Sequence, residues 1–296
     1  MDLMRRRLLQ ATAAGLALGA LDARAESPLL FGTTPVILDE QARFLSAWQS
    51  YLEARLHRPV RFVQRGSYRE IVVLLLTGKL DYAWLCGYPY VRYKKQLDLV
   101  AVPLYRGEPL YRSYLIIPSD DRITRGIQDL RERVFAFSDP DSNSGWLVPQ
   151  AELKRQGIDS AYFFSRSFYT WGHRRVIQAV GAGLAQGGAV DGYIWDTLSV
   201  LHPELTRATR IAWRSELFGF PPIVAAQGQP KNAVEQVRKI LTDMTSDPAG
   251  RTLLASLNLN GFVRGEPKLF DDIETNWHFL ERRSSASIGG NGGGAD

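Results

Sequence analysis

Apolar positions along the chain alternate between short runs bounded by Gly, Pro or Asp and longer stretches with helical spacing. Leu29–Phe31 before Gly32, Val60–Val63, and Asp81–Cys86 before Gly87 read as strands. Between them, Phe44, Leu45, Trp48, Tyr51, Leu52 and Leu56 form one helical stripe, and Tyr68–Thr77 forms a second helix closed by Gly78. Leu97–Tyr105 and Tyr111–Ile117 add two more strands. A second series then opens at Ile127–Leu130. Its predicted strands are Val134–Phe137, Tyr162–Phe164, Ala189–Trp195 and Arg210–Trp213, and its predicted helices are Trp146–Gln156 and His173–Ala185. The strand Pro222–Ala226 and helices at Asn232–Thr245 and Ala249–Leu257 complete the pattern. Strand–helix alternation of this kind defines an α/β chain. Two such series, with the chain returning to the first, predict two lobes around a ligand cleft: residues 28–117 with 219–282, and residues 118–218. The connecting hinges are expected near Ser113–Pro118 and Phe218–Val224.

Both ends change the picture. Arg5-Arg6-Arg7, an apolar run from Leu8 to Leu21, and Ala23-Arg24-Ala25 have the layout of an export signal over residues 1–25, and Arg6-Arg7-Leu8-Leu9-Gln10 is similar to a twin-arginine signal. The expected compartment is therefore the periplasm. Residues 284–296, SSASIGGNGGGAD, read as a flexible tail. The 296-residue chain has a formal charge of +5, of which +2 falls in the first 25 residues. The remaining +3 suits an anionic ligand and is too weak to suggest nucleic acid; a monomer is expected. One cysteine, Cys86, and four histidines without metal-ligand spacing argue against disulfides and structural metals, and no cofactor is implied. No GxSxG, HExxH or P-loop sequence is present, and Gly181-Ala182-Gly183 falls at a helix end rather than after a strand. Binding, not catalysis, is the expected role.

The most informative segment is Asp139-Pro140-Asp141-Ser142-Asn143-Ser144-Gly145. Short polar residues between a strand and a helix can cap the helix and cradle an oxyanion, or can serve as a plain turn. Tyr68 opens a helix, and Tyr88 and Tyr90 follow a strand, where α/β sheets bind ligands. His173 and Arg174 start another helix. Asp196, placed after a predicted strand, would accept a proton-bearing ligand oxygen or cap the next helix. Cys86 at a strand end reads either as core or as a thiol ligand for a soft metalloid.

Four segments in order carry a resemblance: Gly66-Ser67-Tyr68 with Gly78-Lys79-Leu80-Asp81; Cys86-Gly87-Tyr88-Pro89-Tyr90-Val91; Asp139–Gly145; and Gly172-His173 leading to Val190-Asp191 and Asp196. Over about residues 28–280 the chain resembles the periplasmic substrate-binding proteins of phosphate, phosphite and phosphonate ABC transporters. The resemblance implies a two-lobed type II periplasmic-binding fold that closes by a hinge and delivers a small oxyanion to an inner-membrane permease. It implies ligand contacts from Tyr68 and Tyr90 on one lobe and from Ser142, Asn143, Ser144, His173 and Asp196 on the other. Arg174 stands where aminophosphonate binders carry a carboxylate, which disfavours a cationic amine. A subgroup of the family senses arsenite and signals to a membrane histidine kinase; Cys86 keeps that alternative in view.

Overall fold

The computed structural model describes residues 27–34 and 42–282. The expected export signal over residues 1–25 and the expected tail over residues 284–296 lie outside the described residues. Eleven strands are described: β1 Leu29–Thr33, β2 Val60–Gln64, β3 Tyr82–Trp84, β4 Leu97–Leu104, β5 Leu110–Pro118, β6 Val134–Phe137, β7 Arg166–Tyr169, β8 Gly187–Asp191, β9 Thr209–Gly219, β10 Ile223–Ala226 and β11 Gly261–Val263. The helices that bear on the cleft are α1 Ala42–Leu56, α2 Tyr68–Leu76, α3 Gly87–Tyr93, α4 Val148–Arg155, α5 His173–Gly181 and α6 Gly192–Leu201. The short α7 Pro203–Thr206 follows, and α8 Lys231–Thr242, α9 Pro248–Ser256 and α10 Asp271–Glu281 end the described chain.

Two mixed sheets result. The first has the order β11-β4-β10-β3-β1-β2, the second β7-β6-β8-β5-β9. In the first, β1 runs parallel to both β2 and β3, and β10 returns antiparallel. In the second, β6 runs parallel to β7 and β8, and β5 is antiparallel to β8 and β9. Apolar runs without alternation, such as Tyr82-Ala83-Trp84 and Phe135-Ala136-Phe137, are buried on both faces because helices cover both sides. The first core is aromatic: the Trp48 ring lies 5.3 Å from Phe31 and stacks on Phe62 at 5.0 Å. The second core collects Phe135, Phe137 and Phe163, with Phe164 stacked on Phe135 at 4.5 Å.

Several boundaries differ from the sequence expectation. β5 hydrogen-bonds entirely within the second sheet, so the chain first crosses between sheets at residues 105–109 and not after residue 117. The return crossing comes at residues 220–222, inside the expected stretch. The two crossings are tied together where the Phe220 N–H donates to the Pro109 carbonyl at 2.9 Å. Phe163 and Phe164 fill the second core from a turn, and the adjacent strand is Arg166–Tyr169. The segment after β3, which carries Tyr88 and Tyr90 and has no predicted element, is a helix, α3. β8 stops at Asp191, whose side chain accepts from the Tyr193 and Ile194 N–H groups and so starts α6. The expected strand to Trp195 is therefore cut short. β11 and α10 carry no strong periodic signal and were not anticipated. No described helix is long and apolar enough to cross a membrane.

Candidate functional site

Parallel strands deliver their C-terminal ends, and the helices that follow, to one edge of each sheet. The two edges face each other. From the first sheet come Tyr68 at the start of α2 and Cys86 just before α3. From the second come residues 138–145 after β6, His173 at the start of α5 and Asp191 at the end of β8. Tyr111 enters from β5. All these side chains are buried except Pro140, which is half-buried.

Ser67 caps α2 through a capping box with Glu70, which fixes the direction in which Tyr68 leaves the helix. The Tyr68 N–H donates to Asp139 Oδ2 at 3.1 Å, across the interface. The Tyr68 hydroxyl lies 3.2 Å from His173 Nε2. His173 Nδ1 accepts from the Asp191 N–H at 3.0 Å. Because Nδ1 is an acceptor, the neutral ring carries its proton on Nε2 and donates it to the Tyr68 oxygen, leaving the Tyr68 O–H free to donate elsewhere. Burial pushes His173 down to about 3 and Asp191 up to about 8. At neutral pH the histidine is thus uncharged and Asp191 holds its proton. Burial also raises the Tyr68 and Tyr111 phenols well above their usual range and pushes the Cys86 thiol up to about 12.

Residues 142–147 make one wide turn of π-helix. The Leu147 N–H donates to the Ser142 carbonyl at 3.0 Å, and Ser142 Oγ accepts from the Gly145 N–H at the same distance. Glycine is required at 145, since a Cβ there would sit 1.8 Å from Ser138 Oγ. The turn is pinned to β5: Ser113 Oγ donates to the Ser144 carbonyl at 2.7 Å, and Asn143 Nδ2 donates to the Tyr111 hydroxyl at 3.0 Å. Against the other edge, the Asn143 N–H donates to Cys86 Sγ at 3.3 Å. Three polar atoms of this segment, Ser138 Oγ, Asn143 Oδ1 and Ser144 Oγ, are buried without a hydrogen-bond partner. Such atoms are costly unless something occupies the space beside them.

The remaining sequence-nominated residues have other surroundings. Asp196 lies inside α6, where its Oδ2 accepts from the Tyr105 hydroxyl at 2.8 Å and the Tyr114 hydroxyl at 3.0 Å and pairs with Arg106 at 3.1 Å. Asp191, not Asp196, borders His173. Tyr90 packs edge-on against Phe270 at 4.7 Å within the first lobe. Tyr88 stacks on Trp146 at 6.1 Å, an aromatic contact across the interface. Arg174 is half-buried beside His173 on α5. Tyr111 was not singled out on sequence, and Asp139 and Asp191 stood in the quoted segments without being named as ligand contacts. Asp141, the residue directly before the Ser-Asn-Ser segment, is held by Arg69 at 3.2 Å and Arg92 at 3.0 Å, both from the opposite edge.

Two mixed α/β sheets meeting at their strand ends over a buried polar seat define a periplasmic-binding-type architecture. A family model for the ABC transporter phosphonate periplasmic substrate-binding protein matches residues 31–270, and the chain belongs to that family. A probable phosphite-binding ABC transporter protein of Prochlorococcus marinus is 21% identical over 255 residues, covering 80% of this chain and 83% of the relative. Among solved structures, a binding-protein component of a phosphonate transporter from Pseudomonas aeruginosa superposes with a TM-score of 0.79 at 19% identity, covering 85% of this chain and 86% of the other. The Prochlorococcus PhnD1 protein in complex with methylphosphonate superposes at 0.75 and 19% identity, covering 85% and 97%. The fold is accordingly the type II periplasmic-binding fold, and the family is one of periplasmic transport components.

Proposed function

We propose that this chain captures a small tetrahedral phosphorus oxyanion between its lobes by hinge closure and presents it, as an exported monomer, to an inner-membrane ABC permease. The observation that carries this is the convergence, from both sheets, of the buried side chains Tyr68, Tyr111, Asn143, Ser144, His173 and Asp191, among which Asn143 Oδ1 and Ser144 Oγ lack partners. Ser144 Oγ, the Tyr68 O–H and a protonated Asp191 are donors suited to anionic oxygens, and Asn143 Oδ1 suits an oxygen that keeps its proton. In a dry cleft such bonds are strong without a cation in contact. Arg69 and Arg92, committed to Asp141, supply a positive field from outside the seat.

The test is thermal unfolding of the exported chain with phosphate, phosphite, methylphosphonate, 2-aminoethylphosphonate, sulfate and arsenite. A ligand present at one hundred times its dissociation constant should add about 2.7 kcal/mol. Ser144→Ala and Asp191→Asn should each weaken binding by about tenfold or more, the worth of one charge-assisted hydrogen bond. Asp196→Asn should leave affinity nearly unchanged, since its partners are Tyr105, Tyr114 and Arg106. A strong effect at Asp196 with none at Asp191 would refute the site. A shift with arsenite alone, abolished in Cys86→Ser, would favour the sensory reading, because Cys86 Sγ sits in the cleft wall.

A further inference from the structure

Helix α10 touches both lobes, and its two seams differ in chemistry. On one side it meets α3, which follows β3 of the first sheet. On the other it meets α4, a helix of the second lobe whose Leu153 is buried in that lobe's core.

The seam with α3 is apolar and closely fitted. Ile273 of α10 is fully buried. It lies so near Gly87, the first residue of α3, that a Cβ there would meet Ile273 Cδ1 at 2.6 Å. Phe270, just before α10, packs edge-on against Tyr90 of α3 at 4.7 Å. A polar contact is added by Lys94 with Glu274 at 2.6 Å. Parting these surfaces would return apolar area to water.

The seam with α4 is held by cations. Lys154 Nζ donates to the carbonyls of Phe279 at 2.7 Å, Leu280 at 3.1 Å and Arg282 at 2.6 Å. Carbonyls in the last turn of a helix lack partners within it and carry the negative end of its dipole. One ammonium group of the second lobe thus caps the last helix of the chain. Arg155 donates to Asn276 Oδ1. Both cations also face the Phe279 ring, at 5.1 Å and 5.8 Å from its centre. Water can replace hydrogen bonds of this kind at small net cost. Of the two seams, this is the one that can open.

We infer that α10 is a one-sided latch, which rides with the first lobe while Lys154 and Arg155 of the second lobe grip it only when the cleft is shut. This latch presupposes the hinge closure proposed above. It adds a positioning residue, Lys154, that stands outside the oxyanion seat and sets how long a bound ligand is held. Contacts made only in the closed state raise its population and slow release.

The test compares the wild type, Lys154→Met, Lys154→Arg and Lys94→Met by stopped-flow binding of methylphosphonate and by small-angle scattering without ligand. Lys154→Met should release methylphosphonate about three- to tenfold faster, the worth of one net hydrogen bond, with its association rate nearly unchanged. Lys154→Arg keeps the charge and the donors and should recover most of the wild-type rate. Lys94→Met cuts the polar contact on the α3 side and should match the wild type, because that seam stays joined. Equal release from the wild type and Lys154→Met would overturn the latch. Equal acceleration in Lys154→Met and Lys94→Met would overturn its one-sidedness. If the wild type binds no methylphosphonate, the oxyanion reading fails and scattering decides the latch. A larger radius of gyration in Lys154→Met than in the wild type and Lys94→Met would then support it, and equal radii would overturn it.

Discussion

Asp191 and His173 touch through one hydrogen bond and titrate in opposite directions on folding. Burial lowers His173 from 6.5 to about 3 and raises Asp191 from 3.8 to about 8. Between about pH 4 and 6.5 the folded chain keeps a proton on Asp191 and the unfolded chain keeps one on the histidine. The proton counts match, and the pair gives no slope of stability with pH. Between about pH 6.5 and 8 only the folded state holds a proton, so stability falls as pH rises. His173→Gln should convert the flat region into a continuous gain in stability from pH 8 down to 4. Asp191→Asn should remove the decline above pH 6.5 and introduce a loss as pH falls below it. Melting temperatures of the three proteins across pH 4–8 check this; superimposable profiles would refute the assignment. Asp191 was legible in principle. Asp-Gly at 191–192 is a strand breaker and a helix cap, but the apolar run Tyr193–Trp195 continues past it and mimics strand, which drew attention to Asp196 instead. Tyr111 was invisible for another reason: β5 carries it to the cleft only because the chain crosses between sheets earlier than the sequence suggests.

Among the elements, the parallel strands and the helices following them were legible because buried strands are short continuous apolar runs and their helices have amphipathic spacing. Tyr68–Leu76 and Val134–Phe137 fall where expected. The Cys86–Tyr90 segment did not read as helix, since Gly and Pro lead it and its residues are aromatic; packing against α10 overrides propensity there. The π-turn at 143–147 has no sequence signature of its own beyond Ser-Asn-Ser-Gly. It depends on Gly145, where an added methyl would strike Ser138. Gly145→Ala should cost about 1–3 kcal/mol in stability and abolish high-affinity binding by displacing Ser144. Adding Ser138→Gly should recover part of both losses, as followed by urea unfolding and titration. Full binding in Gly145→Ala alone would show that the turn does not set the seat.

Across the whole molecule, the lobes are held shut by contacts that the sequence could not pair, because they join residues far apart in the chain. Arg69 and Arg92 meet Asp141, Tyr88 meets Trp146, and Lys154 Nζ donates to the carbonyls of Phe279, Leu280 and Arg282 at the end of α10. Asp141 is almost fully buried and Arg92 largely so, and removing the carboxylate leaves Arg92 without its partner at the interface, whereas the exposed Arg69 returns to water. Asp141→Ala should therefore enlarge the radius of gyration in small-angle scattering without ligand and weaken binding by about tenfold. An unchanged radius and affinity would mean the clamp does not bias closure.

The position of Cys86 has a practical consequence for following that motion. Its sulfur is the sole thiol of the sequence and is covered by the Asn143 backbone of the opposite lobe. An alkylating probe cannot reach it while the lobes are together, so the rate of modification counts how often they part. On the proposed hinge closure, Cys86 serves as a clock for domain opening. A saturating ligand should slow that clock in proportion to the occupancy of the cleft, and Asp141→Ala should make it run faster.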